Sequence, residues 1–412
     1  MNIALYYPWL YLKSGGERLI YKLISGSRHR WTVLTNRFDR DATYPSLRQL
    51  TVVELNRVPV KRSFGRVGQA AWHIVSQKLP IKGQDALLVV CEGLGDLVTF
   101  RNHEIPVFCL CLTPLRAAFD PFYQAEYLIR RRKRYLPFAL RLAAAGFRAV
   151  DRRAWRYYRR VFAISGEIRN RIVRGNLCPA DKISVVRPGI DWSRLRPSGV
   201  YEKTFLIPGR IMWTKNIELG IDAFLSFCAH RPDLSEFRLT IAGFVDQKSR
   251  PYIAKLRKRV AACSRVRFVE DPSDDQLFDL YRRAYAVISP AFNEDLGLVQ
   301  LEAMAMEKPV IAVDRGGPRE TIVHGEMGFL LEPRTEVFAS AMETLADDPG
   351  LVRRMGAAGR ARAREFDWET FCSTIDENLE QSLAREPIEQ VVNQAQRSSE
   401  LLAGRSRSEE AR

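Results

Sequence analysis

The chain has 412 residues, 46% of them apolar and 27% charged, a make-up that excludes disorder throughout and fits a globular protein. That length exceeds one ordinary hydrophobic core, so two domains are expected. A formal charge of +16 calls for an anionic partner, whether nucleic acid, membrane surface or phosphorylated substrate, without choosing among them.

Residues 2–7 read as a short apolar strand, and this opening has neither the basic region nor the long apolar core of a signal peptide. Ser14-Gly15-Gly16-Glu17-Arg18 then opens a helix to about Ser25. A first strand leading into Gly-Gly at a helix start leaves N–H groups free for a phosphate, although any strand-to-helix turn uses glycine for its geometry. Further strands are expected at 32–35, 50–55, 86–91 and 107–112, which makes this half Rossmann-like. Cys109 and Cys111 form a C-x-C on the last of these. The seven cysteines are scattered and no second pair completes a zinc site, so free thiols in a reducing, cytoplasmic setting are expected, with no metal and no cofactor.

From Tyr127 to Phe162 the chain is strongly basic, with Arg130, Arg131, Arg132, Lys133 and Arg134 followed by Arg141, Arg148, Arg152, Arg153, Arg156, Arg159 and Arg160. Aromatic and leucine side chains are interleaved. The segment reads either as helices with solvated arginine faces or as a surface lying on anionic headgroups. No apolar run reaches transmembrane length without a charge, and no nucleic-acid motif accompanies the basic residues. A strand at 161–165 and a helix at 166–174 follow, and residues 194–201, with Pro197 and Gly199, read as a linker.

The second half starts with a strand ending at Gly209-Arg210 and continues through Lys215-Asn216 into a helix at 217–228. Fixed cations so placed can stabilise a departing diphosphate, or they are two surface charges near a turn. Strands at 239–243 and 266–270 are each followed by a helix. The stretch 284–311 is the centre of this half: a strand ending at Ser289-Pro290, a polar turn Asn293-Glu294-Asp295, Gly297, a helix from Leu298 to Met306, and a strand from Val310. Its loop sits where a parallel sheet binds ligands. Glu294 and Glu302 suit neutral hydroxyls beside a phosphate-binding turn, or they are ordinary salt-bridging carboxylates. Asp314-Arg315-Gly316-Gly317-Pro318 reads as a strand-to-helix turn with Pro318 at the first helical position.

The run from Asn293 to Ala305, with Glu294 and Glu302 in it, resembles the signature of the family 4 glycosyltransferases of group 1 type, and the segment Cys111 to Arg116 resembles that of polysaccharide or lipid-linked-oligosaccharide mannosyltransferase-like members. Other segments resemble it as well: Gly15-Gly16-Glu17-Arg18, Cys111-Leu112-Thr113-Pro114-Leu115-Arg116, Ile183 to Asp191, Arg210 with Lys215, and Gly316-Gly317 with Glu320. Together these segments span most of residues 1–380.

The resemblance implies an α/β GT-B fold, two Rossmann-like domains facing across a cleft. An N-terminal domain would cover 1–195, a nucleotide-sugar-binding domain 202–365, and a helix at about 366–386 would cross back to the first; 387–412 reads as a polar, disordered tail. It also implies a retaining, metal-independent transfer of a sugar from a nucleotide sugar to a saccharide or lipid-linked acceptor. Glu294, Arg210 and Lys215 would be catalytic. Glu302, Gly15, Gly16, Gly209, Gly297 and Leu298 would bind the donor, and Thr113 and Arg116 would lie on the acceptor side. The chain departs from the pattern at Leu112, where those relatives carry histidine and leucine can neither donate nor accept a hydrogen bond. A catalytically altered binding or scaffold protein on the same fold is therefore the alternative. Attachment to an anionic membrane surface would run through residues 130–134 and 152–160.

Overall fold

The computed structural model describes residues 1–58, 64–131 and 136–384; the tail from 387 and the last two residues of the expected crossing helix lie outside them. Two sheets organise the chain. The first contains β1 (Asn2–Tyr6), β2 (Arg30–Thr35), β3 (Val52–Glu54), β4 (Ala86–Glu92), β5 (Val107–Thr113), β6 (Tyr158–Ala163) and β7 (Ile183–Val185). The second contains β8 (Thr204–Pro208), β9 (Arg238–Gly243), β10 (Val266–Glu270), β11 (Ala286–Ser289), β12 (Val310–Val313) and β13 (Gly328–Leu331). Their orders are β3-β2-β1-β4-β5-β6-β7 and β10-β9-β8-β11-β12-β13. Every neighbouring pair is parallel.

Parallel strands need crossovers, and helices on both faces turn the central strands into unbroken apolar runs. β5 is buried along its whole length and β4 up to Glu92. Phe205, Phe224, Phe227, Phe237 and Tyr285 pack around the start of the second sheet in edge-to-face and stacked pairs. In the first sheet the strand order reverses between β1 and β4, in the second between β8 and β11. Such reversals open a crevice at the carboxyl ends of the strands.

The chain returns to its first half through a helix at 368–384. Asp376 there accepts from the Ser27 hydroxyl at 2.7 Å and from the Arg28 N–H at 2.9 Å. Farther along the same helix, Asn378 accepts from Arg160 at 2.6 Å.

Candidate functional site

The two crevices face each other, and the expected site residues line both walls. On the second sheet, β8 leads to Gly209 and Arg210, and the short turn Trp213–Lys215 carries Lys215 into the helix Ile217–His230. Gly209, Arg210, Lys215 and Glu294 border one small cleft. Lys215 Nζ donates to Glu294 Oε1. Burial pushes the Glu294 carboxyl up, but Lys215 first, then Arg116 and Arg210, outweigh it and hold the group below its ordinary range.

Glycine shapes this loop where nothing larger fits. Gly297 (φ 98°) precedes the helix Leu298–Ala305, and a Cβ on it would stand 1.9 Å from Gln300 Oε1. Gly316 and Gly317 back the loop from behind: their Cβ positions would fall 2.3 Å from Glu294 O and from Leu296 Cα respectively. A side chain at either would push Glu294 out of place.

The opposite wall is the start of the helix Gly15–Gly26, whose Ser14 side chain caps Gly16 N. A Cβ on Gly15 would stand 3.6 Å from Leu298, so two helix N-termini approach each other across the cleft, with Arg210 and Lys215 on the same side as the second. That is a strongly electropositive, oxygen-seeking arrangement. Glu302 stands behind it, receiving Arg18 at 2.8 Å on one oxygen and the Tyr281 hydroxyl at 3.1 Å on the other. Both carboxylates are thus in ion pairs, and the Glu302 pair spans the cleft.

Other groups cross the cleft. Arg116 donates to Asp120 at 2.9 Å and to the Asn293 carbonyl at 2.7 Å, which places this acceptor-side candidate against the Glu294 loop. Thr113 accepts from Arg171 at 2.8 Å, and Arg171, only 2% exposed, also reaches Asp295 at 2.7 Å. Glu320 accepts from the backbone N–H of Gly166 and Glu167 at 2.8 and 2.7 Å, so the second domain caps a helix of the first. Leu112 packs on the glycine turn: a Cβ on Gly16 would lie 3.0 Å from Leu112 Cδ1. Beside it Tyr7 donates to Glu92 at 2.5 Å. Arg18, Arg171, Tyr281, Glu92 and Tyr7 are site residues that sequence reasoning passed over; only Arg18 carried a signal, its place in the Gly-Gly-Glu-Arg element.

Glu17 lies just under this turn, 1% exposed. Burial lifts its carboxyl to about 7; the Ser14 hydroxyl opposes the rise and Glu92 adds to it. The folded chain therefore holds a proton there that the unfolded chain has already lost above pH 4.5, and stability falls as pH rises from 4.5 through 7. Glu17→Gln, which does not titrate, is expected to exceed the wild type by about 2–3 kcal/mol at pH 8 and to lose that advantage near pH 5. Urea melts at the two pH values measure it, and an equal gap at both would contradict the assignment.

The basic segment forms the helices Pro121–Arg131 and Leu136–Ala154; Arg132, Lys133 and Arg134 lie outside the described residues. Its arginines do not act as one face. Arg130 is exposed, and it pairs with Glu218 at 3.0 Å and lies over Trp213. Arg148, Arg152 and Arg160 donate to Ala118 O, Gly175 O and Asn378. Arg141, Arg153 and Arg156 are exposed. So are Phe138 (76%) and Leu142 (66%), one helical turn apart. Among the described residues no helix is long and apolar enough to cross a membrane.

Residues 195–362 match the family described as glycosyl transferases group 1. Over 235 residues, 53% of either chain, the sequence is 30% identical to D-inositol 3-phosphate glycosyltransferase of Streptomyces scabiei (strain 87.22). Over 170 residues, 39% of this chain and 41% of the other, it is 36% identical to alpha-1,3/1,6-mannosyltransferase ALG2 of Homo sapiens. The chain spans about half the length of the curated relatives it matches. Among solved structures, sucrose-phosphate synthase of Thermosynechococcus elongatus aligns with a TM-score of 0.72 at 19% identity, covering 93% of this chain and 100% of its own. Alr3699/HepE of Anabaena, solved with UDP and glucose, aligns with a TM-score of 0.69 at 19% identity over 92% and 99%. These likenesses establish the expected GT-B fold.

Proposed function

We propose, from a second domain of the group 1 glycosyl transferase family set in a GT-B fold, that the chain moves a sugar from a nucleotide-sugar donor to a saccharide or lipid-linked acceptor with retained configuration. The observation that carries this reading is the convergence of Arg210, Lys215 and two helix N-termini around the Glu294 carboxylate. A departing nucleoside diphosphate gathers negative charge, and these cations and amides stabilise it where it forms. They supply that charge from side chains, so the transfer is read as metal-independent. Glu294, held ionised, orients the sugar hydroxyls, and Glu302 takes the ribose. The names of the relatives, a D-inositol 3-phosphate glycosyltransferase and a mannosyltransferase, favour a hexose donor and a phosphorylated or saccharide acceptor.

A panel of nucleotide sugars tests it by thermal shift and by donor turnover. A ligand at a hundred times its dissociation constant adds about 2.7 kcal/mol of stability. No shift and no turnover with any uridine or guanosine diphosphate sugar would favour the scaffold reading, for which Leu112 packed on Gly16 is the specific observation. The two carboxylates are expected to separate. Glu302→Gln should weaken binding of the nucleoside diphosphate alone by about tenfold or more, the worth of a hydrogen bond to a charged group. Glu294→Gln should leave that binding within about twofold while sugar transfer falls. Calorimetry with the diphosphate measures both, and equal large losses would overturn the assignment.

We also propose that the helix Leu136–Ala154 attaches the protein to an anionic lipid surface. Phe138 and Leu142 supply the apolar face, and Arg141 with Arg153 and Arg156 the charge.

A further inference from the structure

The first domain's wall of the cleft carries a carboxylate to which donor binding gives no task. Glu92 ends β4, beside Tyr7 just past β1, where the strand order of the first sheet reverses. Open parallel sheets take their ligands at such a reversal, beyond the carboxyl ends of the strands. The register between β4 and β5 slips between Cys91 and Glu92, so that Glu92 stands opposite Thr113 rather than Leu112. A slip of this kind re-aims a side chain, and here it falls on the last residue of the strand, where the crevice opens.

The Tyr7 hydroxyl donates to Glu92 Oε2 at 2.5 Å, and Tyr7 is only 5% exposed. Burial first, then the charges of Glu92 and Glu17, push that hydroxyl well above its usual range, so it stays a donor. Glu92 itself is exposed; among the described residues no group donates to its other oxygen and no cation pairs with it. A Cβ on Gly16 would lie 3.0 Å from Leu112 Cδ1, 3.4 Å from the Tyr7 hydroxyl and 3.8 Å from Glu92 Oε2. Tyrosine, carboxylate and leucine thus border the glycine turn on the first domain's side, across from Leu298. A merely solvated glutamate calls for neither a buried hydroxyl at its side nor the slip that sets it there.

We propose that Glu92, held by Tyr7, binds the acceptor: its free oxygen receives a hydroxyl of an unphosphorylated saccharide whose apolar ring face lies on Leu112. The inference rests on the transferase reading above and selects between the two acceptor classes named there. A hydrogen bond from a neutral hydroxyl to a carboxylate is among the stronger ones, whereas a phosphate ester at the same place meets like charge. The cations suited to a phosphate, Arg210 and Lys215, stand on the opposite wall with the diphosphate. Tyr7 is a positioning residue, which occupies Oε2 and leaves Oε1 to the ligand.

The full chain is assayed with the nucleotide sugar that gives the largest thermal shift, against methyl hexosides and disaccharides on one side and hexose phosphates on the other. The wild type is expected to favour the uncharged acceptors in kcat/KM by about tenfold or more. Glu92→Gln should raise KM for an uncharged acceptor about tenfold, the difference between a hydrogen bond to a charged group and one to a neutral group, and should narrow the gap to the phosphates. Tyr7→Phe should raise that KM in the same sense and add little to Glu92→Gln in the double variant. Affinity for the nucleoside diphosphate alone, by calorimetry, should stay within about twofold in all three, which a merely structural role for Tyr7 would not allow. A wild type that prefers hexose phosphates, or an acceptor KM unmoved by Glu92→Gln, would overturn the proposal and leave the donor site as described. Failure of the transferase reading shows separately, as no stabilisation of the wild type by any nucleotide sugar, and takes the acceptor assignment with it.

Discussion

Lys215→Ala is expected to lower turnover of a nucleotide sugar by about 10²–10³-fold, the loss seen when one charge-stabilising donor is removed from a developing anion. Lys215 has two tasks that the substitution removes together. Its ammonium borders the cleft with Arg210, where the diphosphate leaves, and it is the first of the cations that hold Glu294 ionised against the push of burial. Without it the Glu294 carboxyl moves up. The acid limb of the pH–rate profile should therefore shift to higher pH, and the deficit should deepen as pH falls. Arg210→Ala removes the same kind of charge from the diphosphate but leaves the Lys215–Glu294 hydrogen bond in place, so its loss should be nearly independent of pH. The double variant Lys215→Ala/Glu294→Gln separates the roles, because residues acting on one group combine non-additively. Steady-state kinetics from pH 5 to 8 on the three variants is the measurement. Wild-type turnover in both single variants would make the pair ordinary surface charge.

The parts of this site that follow local rules were legible in the sequence. Apolar runs and glycine turns located β8, β11 and the helix Leu298–Ala305, and with them Arg210, Lys215 and Glu294 in the loops that follow the two strands and Glu302 in the helix itself. The pairings that close the cleft were not legible. Arg18 meets Glu302, Arg171 meets Asp295 and Glu320 caps the helix at Gly166, across sequence separations of 284, 124 and 154 residues. Neither periodicity nor propensity encodes such a pairing; it exists only once both sheets are placed. Arg171 illustrates the point. It sits in the helix Gly166–Arg174 among Arg169 and Arg174 and reads as one more charge on a solvated face, yet it is buried among Thr113, Asp295 and Glu167. The basic segment was hard to read in the opposite sense. Its arginines look alike in sequence, and the fold gave Arg130 to Glu218, gave Arg148, Arg152 and Arg160 to other acceptors of the protein, and left Arg141, Arg153 and Arg156 unpaired with them and exposed.

That division changes which substitutions release the protein from lipid. The double variant Phe138→Ser/Leu142→Ser is expected to lower its partition onto anionic vesicles by about 10²-fold or more. Burying one such side chain is worth about 1.5–3 kcal/mol, and the two are 76% and 66% exposed one turn apart on the same helix. An arginine near an anionic surface contributes about 1 kcal/mol. Replacing Arg141, Arg153 and Arg156 with Gln should therefore weaken binding by a comparable total, but only at low ionic strength. Their contribution is screened over a Debye length of about 8 Å at physiological salt, whereas that of the apolar pair is not. The two variants should thus differ in how their deficit responds to salt. The arginine deficit should shrink as salt rises, and the Phe138–Leu142 deficit should persist. Neither set of residues touches the cleft, so transfer to a soluble acceptor should stay at the wild-type level in both. Arg130→Gln behaves differently, because it removes the contact with Glu218 and Trp213 and should disturb the second domain's approach without changing vesicle binding. Co-sedimentation with phosphatidylserine-containing and purely zwitterionic vesicles measures all three. Wild-type protein that stays in the supernatant with both vesicles at low salt would overturn the attachment and leave the exposed face of the helix Leu136–Ala154 as a solvated one.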